Sequence, residues 1–213
     1  MKGVTFGSYH SFRDFGLILL PNNAIGTPVP KTELIDIPGG DGMLDFTEAF
    51  GDVKYGNRPL SFEFSTLVLQ EGFMSLFSSI QNALHGQKLK IILDDDPDCY
   101  YIGRITVSEW KADRRIGRIS IDCDCEPFKQ SIYTTTVSKA VASNATIALA
   151  NDKMPVIPTI TTNAEFLISF GGHNDIYPAG TFSIPELELR EGVNQVYVEG
   201  NGSISFTYRK GWL

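Results

Sequence analysis

Residues 37–69 read IPGGDGMLDFTEAFGDVKYGNRPLSFEFSTLVL: a glycine-rich turn, a connector studded with aromatics, then a long alternating strand. Leu60, Phe62 and Phe64 alternate with Ser61, Glu63 and Ser65. That period of two predicts a core strand with one face buried and one face wet. After Gln70 the period changes. Phe73, Leu76, Phe77, Ile80 and Leu84 fall at helical spacings, which predicts a helix over about residues 72–85 that stops near Gly86. Ser78, Ser79, Gln81 and Asn82 make its wet side. One helix cannot enclose a core of this size, so its apolar stripe is expected on a sheet built by the strands around it.

Working outward, the amino-terminal side reads as strand, turn, strand. Val4 and Phe6 alternate, residues 15–20 form a compact apolar strand, and Pro21-Asn22-Asn23 closes it. Pro28 and Pro30 rule out helix, and residues 34–37 resume extended structure before the Gly39-Gly40-Asp41-Gly42 turn. Residues 43–59 carry Phe46, Phe50 and Tyr55 without a settled period. They read as an extended arm or long hairpin reaching toward a neighbour, or as a loop folded over its own barrel.

On the carboxyl side of the helix, Leu89, Ile91 and Leu93 lead into Asp94-Asp95-Asp96-Pro97-Asp98, and Tyr101, Ile105 and Val107 return. This is a hairpin with an acidic tip. A second hairpin turns at residues 111–115, and its return strand sets Ile119, Ile121, Cys123 and Cys125 on one side. Beyond Phe128 the composition shifts to Ser, Thr, Ala and Asn, which places a boundary between Glu126 and Ser131. A second all-β unit follows. Phe166, Ile168 and Phe170 alternate, as do Leu187 and Leu189, and Gly200-Asn201-Gly202 joins the Val196 and Val198 run to Ile204, Phe206 and Tyr208 as a hairpin turn.

The chain has 213 residues with a net charge of −7, room for one large or two modest domains. The acidity argues against free nucleic acid or an anionic membrane as the main partner, and suits a surface that DNA slides past. The amino terminus lacks a continuous apolar run and no later run approaches the roughly 18 residues of a membrane helix, so the expected place of synthesis is the cytoplasm. Three cysteines without a CxxC pair read as free core thiols rather than a disulfide or metal site.

Motifs for chemistry are weak. The Asp94 to Asp98 run suggests a calcium loop, but Cys99 and Ile105 stand where such a loop needs glycine and glutamate, so a solvated hairpin tip is expected. His10, His85 and His173 sit in no catalytic signature, and His85 reads as a cation favouring the helix dipole beside Gly86. Glu186 and Glu188 project to one side of a strand, which motivates a hydrolase reading and, more simply, a wet strand surface. Trp110, Lys111, Arg114, Arg115 and Arg118 form a basic and aromatic cluster suited to a phosphate backbone or an acidic neighbouring subunit, or simply to solvent at a hairpin tip.

Taken together, the Phe15-Gly16-Leu17 region, Pro38-Gly39-Gly40-Asp41-Gly42 with Asp45, Tyr55-Gly56-Asn57-Arg58, Cys125-Glu126-Pro127-Phe128, Leu189-Arg190-Glu191-Gly192-Val193-Asn194 and Tyr208-Arg209-Lys210-Gly211-Trp212-Leu213 resemble the distal tail protein (Dit) family of long-tailed non-contractile bacteriophages and prophages. The resemblance implies a mainly β chain. Its residues 1–129 would be a ring-forming β-barrel or sandwich domain with one α-helix, and its residues 130–213 a galectin-like β-sandwich. It further implies a structural, non-enzymatic virion component of the tail tip without cofactor or metal. The implied assembly is a hexameric ring that joins the tail tube to the baseplate or adhesion device and leaves a channel for DNA. Its implied partners are further copies of itself, the tail tube protein, a tail-associated fibre or receptor-binding protein and the tape measure protein. The subunit-interface candidates are Phe46, Phe50, Tyr55, Arg58, Arg114 and Arg115. The alternative is a carbohydrate-binding protein that recognises host cell-wall saccharide through the second sandwich, with Tyr177 or Tyr197 as exposed aromatics. Against it, the histidine, asparagine, arginine and tryptophan set of sugar-binding galectins is not reproduced, since His173-Asn174 reads as loop and Trp212 is next to the end.

Overall fold

The strand at the centre of the quoted stretch is long and has both edges in use. In the computed structural model, which describes residues 2–49, 51–66, 68, 70–113 and 116–213, the chain divides into two compact units, Met1–Lys129 and Gln130–Leu213. The first contains β1 (Val4–Phe6), β2 (Tyr9–His10), α1 (Ser11–Phe15), β3 (Leu17–Leu19), β4 (Ala24–Ile25), β5 (Leu34–Asp36), β6 (Met43–Asp45) and β7 (Arg58–Thr66). It continues with a 3-10 turn (Gln70–Gly72), α2 (Phe73–Leu84), β8 (Lys88–Leu93), β9 (Asp96–Asp113) and β10 (Ile116–Cys125).

One antiparallel sheet runs in the order β2-β1-β8-β9-β10-β7-β3, with β4 also on β7. The alternation of β7 is as expected: Leu60, Phe62 and Phe64 are buried, and Ser61, Glu63 and Ser65 are half-buried on the other face. Phe6 of β1 meets Phe62 and Phe64 edge-on at centroid distances of 6.0 and 6.4 Å. Because β1 and β7 are separated in the sheet by three strands, these contacts mean that the sheet curls until distant strands share one interior. Along α2, Phe73, Ile80 and Leu84 are buried, and Leu76 and Phe77 pack on the same core. The helix stops at Gly86, whose φ of 76° suits glycine.

Several expectations need correction. The first unit has a second, short helix: residues 11–15 are helical, so the strand expected over 15–20 shrinks to β3. Its cap is His10, whose Nδ1 accepts the N–H groups of Phe12 and Arg13, both at 3.1 Å. The acidic turn between β8 and β9 is not merely solvated. Asp94 accepts the Gly3 N–H at 2.8 Å and lies 3.1 Å from His10 Nε2, and Lys2 pairs with Asp95. This turn therefore ties down the amino-terminal strand. At the end of α2, His85 accepts the Val107 N–H through its Nδ1 at 3.1 Å, which ties the helix end to β9.

After β11 (Lys129–Ser131), the second unit contains β12 (Thr135–Val141), β13 (Asn144–Asn151), β14 (Thr159–Thr162), β15 (Phe166–Phe170), β16 (His173–Tyr177) and β17 (Gly180–Ser183). It ends with β18 (Gly192–Gly200), β19 (Gly202–Tyr208) and the short β20 (Gly211–Trp212), which pairs with β11. Two four-stranded sheets, β12-β19-β14-β17 and β13-β18-β15-β16, contribute Ile160, Ile204 and Phe206 from one side and Ile147, Phe166, Ile168, Val196 and Val198 from the other to one core. This is a β-sandwich.

Gly200-Asn201-Gly202 does not close a hairpin. It carries the chain from one sheet to the other, because β18 already pairs with β13 and β15, and β19 with β12 and β14. A would-be Cβ on Gly202 stands 2.4 Å from Asn163 Oδ1, which accepts the Ser203 N–H at 2.7 Å, so the corner needs glycine for a close approach. His173-Asn174 lies in β16 rather than in a loop. Leu187 and Leu189 are buried, but their segment is irregular and is held by Val156 through Leu189.

The core is apolar enough to set magnitudes. Phe64→Ala is expected to destabilise the first unit by about 3–5 kcal/mol, read by denaturant unfolding. Burial pushes the thiols of Cys123 and Cys125 up, that of Cys125 to about 12 from an ordinary value of 9.0. A raised folded value means that stability is full below pH 9.0, where the unfolded thiol is also neutral, and declines as pH rises toward about 12. Native protein is accordingly expected to resist thiol alkylation at pH 8 and to react fully once unfolded.

Candidate assembly surface

The segment from β4 to the start of β7 is a two-stranded ribbon that grows out of the sheet. At its root Ala24 and Ile25 pair with Ser61 and Leu60, and the Gly26 N–H bonds to Pro59 O at 2.9 Å. Further out, the Gly56 N–H bonds to Val29 O at 2.8 Å, Pro30 bridges Tyr55, and the Lys31 N–H reaches Lys54 O at 2.8 Å. Residues 46–54 interrupt the pairing, which resumes where Phe46 N–H bonds to Glu33 O and β5 pairs with β6. Gly39 and Gly42, with φ near 80°, make the end turn that β5 and β6 require. Thr47 donates to Asp45 through both its hydroxyl and its N–H, which holds that carboxyl below its usual value.

What sets the ribbon apart is its side chains. Every residue of β5 and β6 is exposed. Met43 is 62% exposed, Leu34 51%, Ile35 49% and Leu44 48%, and Ile25, Val29 and Ile37 are exposed as well. A two-stranded ribbon alone in water is marginal, and a contiguous apolar surface of this kind marks an interaction site.

The interface candidates are placed as follows. Phe46 is exposed at the outer part of the ribbon. Tyr55 is half-buried against Phe128, edge-on at 6.0 Å. Arg58 is buried at 4% exposure with its guanidinium over the Tyr101 ring, which removes it from the open surface of the unit. Phe50, Arg114 and Arg115 lie outside the described residues. Other members of the basic cluster are engaged at home: Trp110 packs on Phe73 and Phe77, Lys111 pairs with Glu109, and Arg118 with Glu63. Sequence reading missed Ile25, Val29, Leu34, Ile35, Met43 and Leu44. For Leu34, Ile35, Met43 and Leu44 the signal was two adjacent apolar residues in each arm, Leu34-Ile35 and Met43-Leu44, which set Ile35 opposite Leu44 on one face.

The shallow hollow lined by Asn57, Lys88, Ile102, Arg104, Asp124 and Glu126 holds a Lys88–Glu126 pair at 2.7 Å and an Asn57–Asp124 hydrogen bond at 2.8 Å. Among the described residues, no cluster of three His, Cys, Asp or Glu is arranged to hold a metal ion. Tyr177 is not a free exposed aromatic, since it stacks on Phe182 at 4.9 Å and bonds His173 through its hydroxyl at 2.8 Å. Tyr197 is 37% exposed.

No family model matches the chain, and no curated protein matches its sequence. Among solved structures, the crystal structure of phage SPP1 Dit, described as a paradigm of the hub adsorption apparatus in phages that infect Gram-positive bacteria, superposes with a TM-score of 0.74 at 13% identity. The match covers the whole of both chains. The mainly β fold is thus shared with that protein, as the sequence resemblance implied.

Because the outer ribbon contributes nothing to either core, replacing residues 33–46 by Gly-Gly is expected to leave the rest intact. Calorimetry would show a change in stability below about 1 kcal/mol, the range of surface changes, with unaltered far-UV circular dichroism.

Proposed function

We propose that this chain is a distal tail protein, a structural component of a phage tail tip that acts by assembling with copies of itself. In this reading the first unit forms a hexameric ring joining the tail tube to the adhesion device, and the ring leaves a channel through which DNA passes. The observation that carries the reading is the exposed apolar ribbon on a fold shared over its full length with SPP1 Dit.

The physics of closed rings fits this surface. A ring of identical subunits needs two different complementary patches on each copy, so that each joins head to tail and the rotation closes. A ribbon that projects from the sheet with Ile35 and Leu44 paired on one face, and with Leu34 and Met43 beside Asp45 and Asp36 on the other, supplies one such patch, with Phe46 on it and Phe50, Arg114 and Arg115 as further proposed contacts. The net charge of −7 suits a wall past which DNA moves without binding. The adjoining partners in this reading are the tail tube, tape measure and fibre or receptor-binding proteins.

Native mass spectrometry and sedimentation of the purified protein over rising concentration test the proposal. Wild type is expected to populate a closed oligomer. Ile35 and Leu44 are cross-strand partners, so Ile35→Lys with Leu44→Lys puts two like charges on one face of the ribbon and is expected to yield folded monomer. A wild-type monomer at every concentration, or an oligomer that the double variant leaves intact, would refute it.

A further inference from the structure

The sandwich of the second unit has an outer strand at each side of each sheet: β12 and β17 on one, β13 and β16 on the other. An outer strand leaves a row of backbone N–H and C=O groups open to pairing, and proteins ordinarily guard it with a charge, a proline or shortness. β12 carries Lys139, β16 carries Asp175, and β17 has four residues between Pro178 and Pro185. β13 has none of these guards. It reads NATIALAN over residues 144–151, eight residues without charge, glycine or proline.

The outward backbone groups of β13 follow from its register. In an antiparallel pair, opposite residues alternately exchange both hydrogen bonds or none. Asn144 stands opposite Glu199 of β18, and one step back the Gly200 N–H bonds to Ser143 O at 2.8 Å. Ala145, Ile147 and Leu149 therefore bond to β18, and Asn144, Thr146, Ala148 and Ala150 point their N–H and C=O groups away from it. The Ala150 carbonyl agrees, since it accepts the hydroxyl of Tyr208, a residue of the other sheet, at 2.8 Å. Among the described residues, no hydrogen bond reaches the outward backbone groups of Asn144, Thr146 or Ala148, and all three residues are exposed.

We infer that β13 pairs with the β13 of a second copy of this chain, antiparallel and two-fold about Thr146. In that register Thr146 exchanges both bonds with its own equivalent, and Asn144 exchanges both with Ala148 of the second copy, so the open groups of all three residues are used. The side chains fit a second copy as the occupant. Thr146 meets Thr146, a favourable cross-strand pair, and Asn144 meets Ala148 without charge or bulk. A chain with a net charge of −7 repels its own copies, and this strand brings no charge to the contact. A two-fold contact cannot close a six-membered ring, so this one joins chains of separate assemblies and stands independently of the ribbon. Backbone bonds without a buried core make it weak between single chains, and it populates in concentrated solution.

Hydrogen exchange of the full chain, read at single amides by mass spectrometry in concentrated solution, tests the pairing. The Ala148 N–H of wild type is expected to exchange at least about tenfold more slowly than that of Thr146→Lys, which sets like charges directly opposite each other. The Ile147 N–H, bonded to β18 in both, is expected to stay slow and reports that the strand is intact. Mixing Thr146→Lys with Thr146→Glu chains is expected to restore slow exchange at Ala148, because this register then sets opposite charges face to face. Should the substitutions disturb the strand, dilution of wild type gives the same comparison, with Ala148 speeding up and Ile147 unchanged. Equal exchange at Ala148 in wild type and in Thr146→Lys, or fast exchange that mixing leaves unaltered, overturns the pairing. A wild type that forms its closed oligomer with Ala148 open fails this inference alone, and one that forms no ring while Ala148 is protected fails the ribbon reading alone.

Discussion

The contact of Phe6 with Phe62 and Phe64 is the constraint on which the first unit depends. It brings β1 over β7 although β8, β9 and β10 lie between them in the sheet, so the sheet must curl. Once it has curled, the inward faces of β9 and β10 converge on the same interior, and α2 is left to cover the part that the strands do not reach. The tie from Asp94 to Gly3 and His10 then follows as a necessity. A three-residue strand carrying the key phenylalanine needs a second anchor, and the turn beside it supplies one.

The same strand explains why a ribbon projects from this unit. β3, β4 and residues 26–31 run beside β7 and its upstream extension almost without interruption, from Leu17 opposite Thr66 to Lys31 opposite Lys54. Backbone hydrogen bonding therefore outlasts the core. At β5 and β6 no interior remains for the side chains, yet Leu34, Ile35, Met43 and Leu44 are apolar. An apolar surface maintained where the chain itself has nothing to bury it is the physical basis for reading this protein as one of several in an assembly.

Much of this was legible beforehand, for reasons of period. The alternation in β7 and the stripe on α2 each had one dry face and one wet face, and both elements formed as read. Where reading failed, the deciding force was not local. Asn201-Gly202 has hairpin chemistry, but the edges of β18 and β19 are taken by other strands, and pairing overrode turn preference. Residues 11–15 were too few to show a helical period, and their cap is a histidine rather than one of the usual short polar residues. At the candidate surface, Phe46, Tyr55 and Arg58 fell in or beside the ribbon, but Leu34, Ile35, Met43 and Leu44 did not stand out. Strands of three residues are too short for a period to show, and burial of Arg58 depends on the curl of the sheet, which no local pattern encodes.

The corner at Asn201 has a mechanical consequence for the second unit. β18 and β19 are each an interior strand of their own sheet, and a single residue separates them. Tension along the chain there passes directly from one layer to the other, without slack to absorb it. The two layers are in effect stitched through their middles, and sliding one across the other would require tearing backbone pairing on both sides of the stitch.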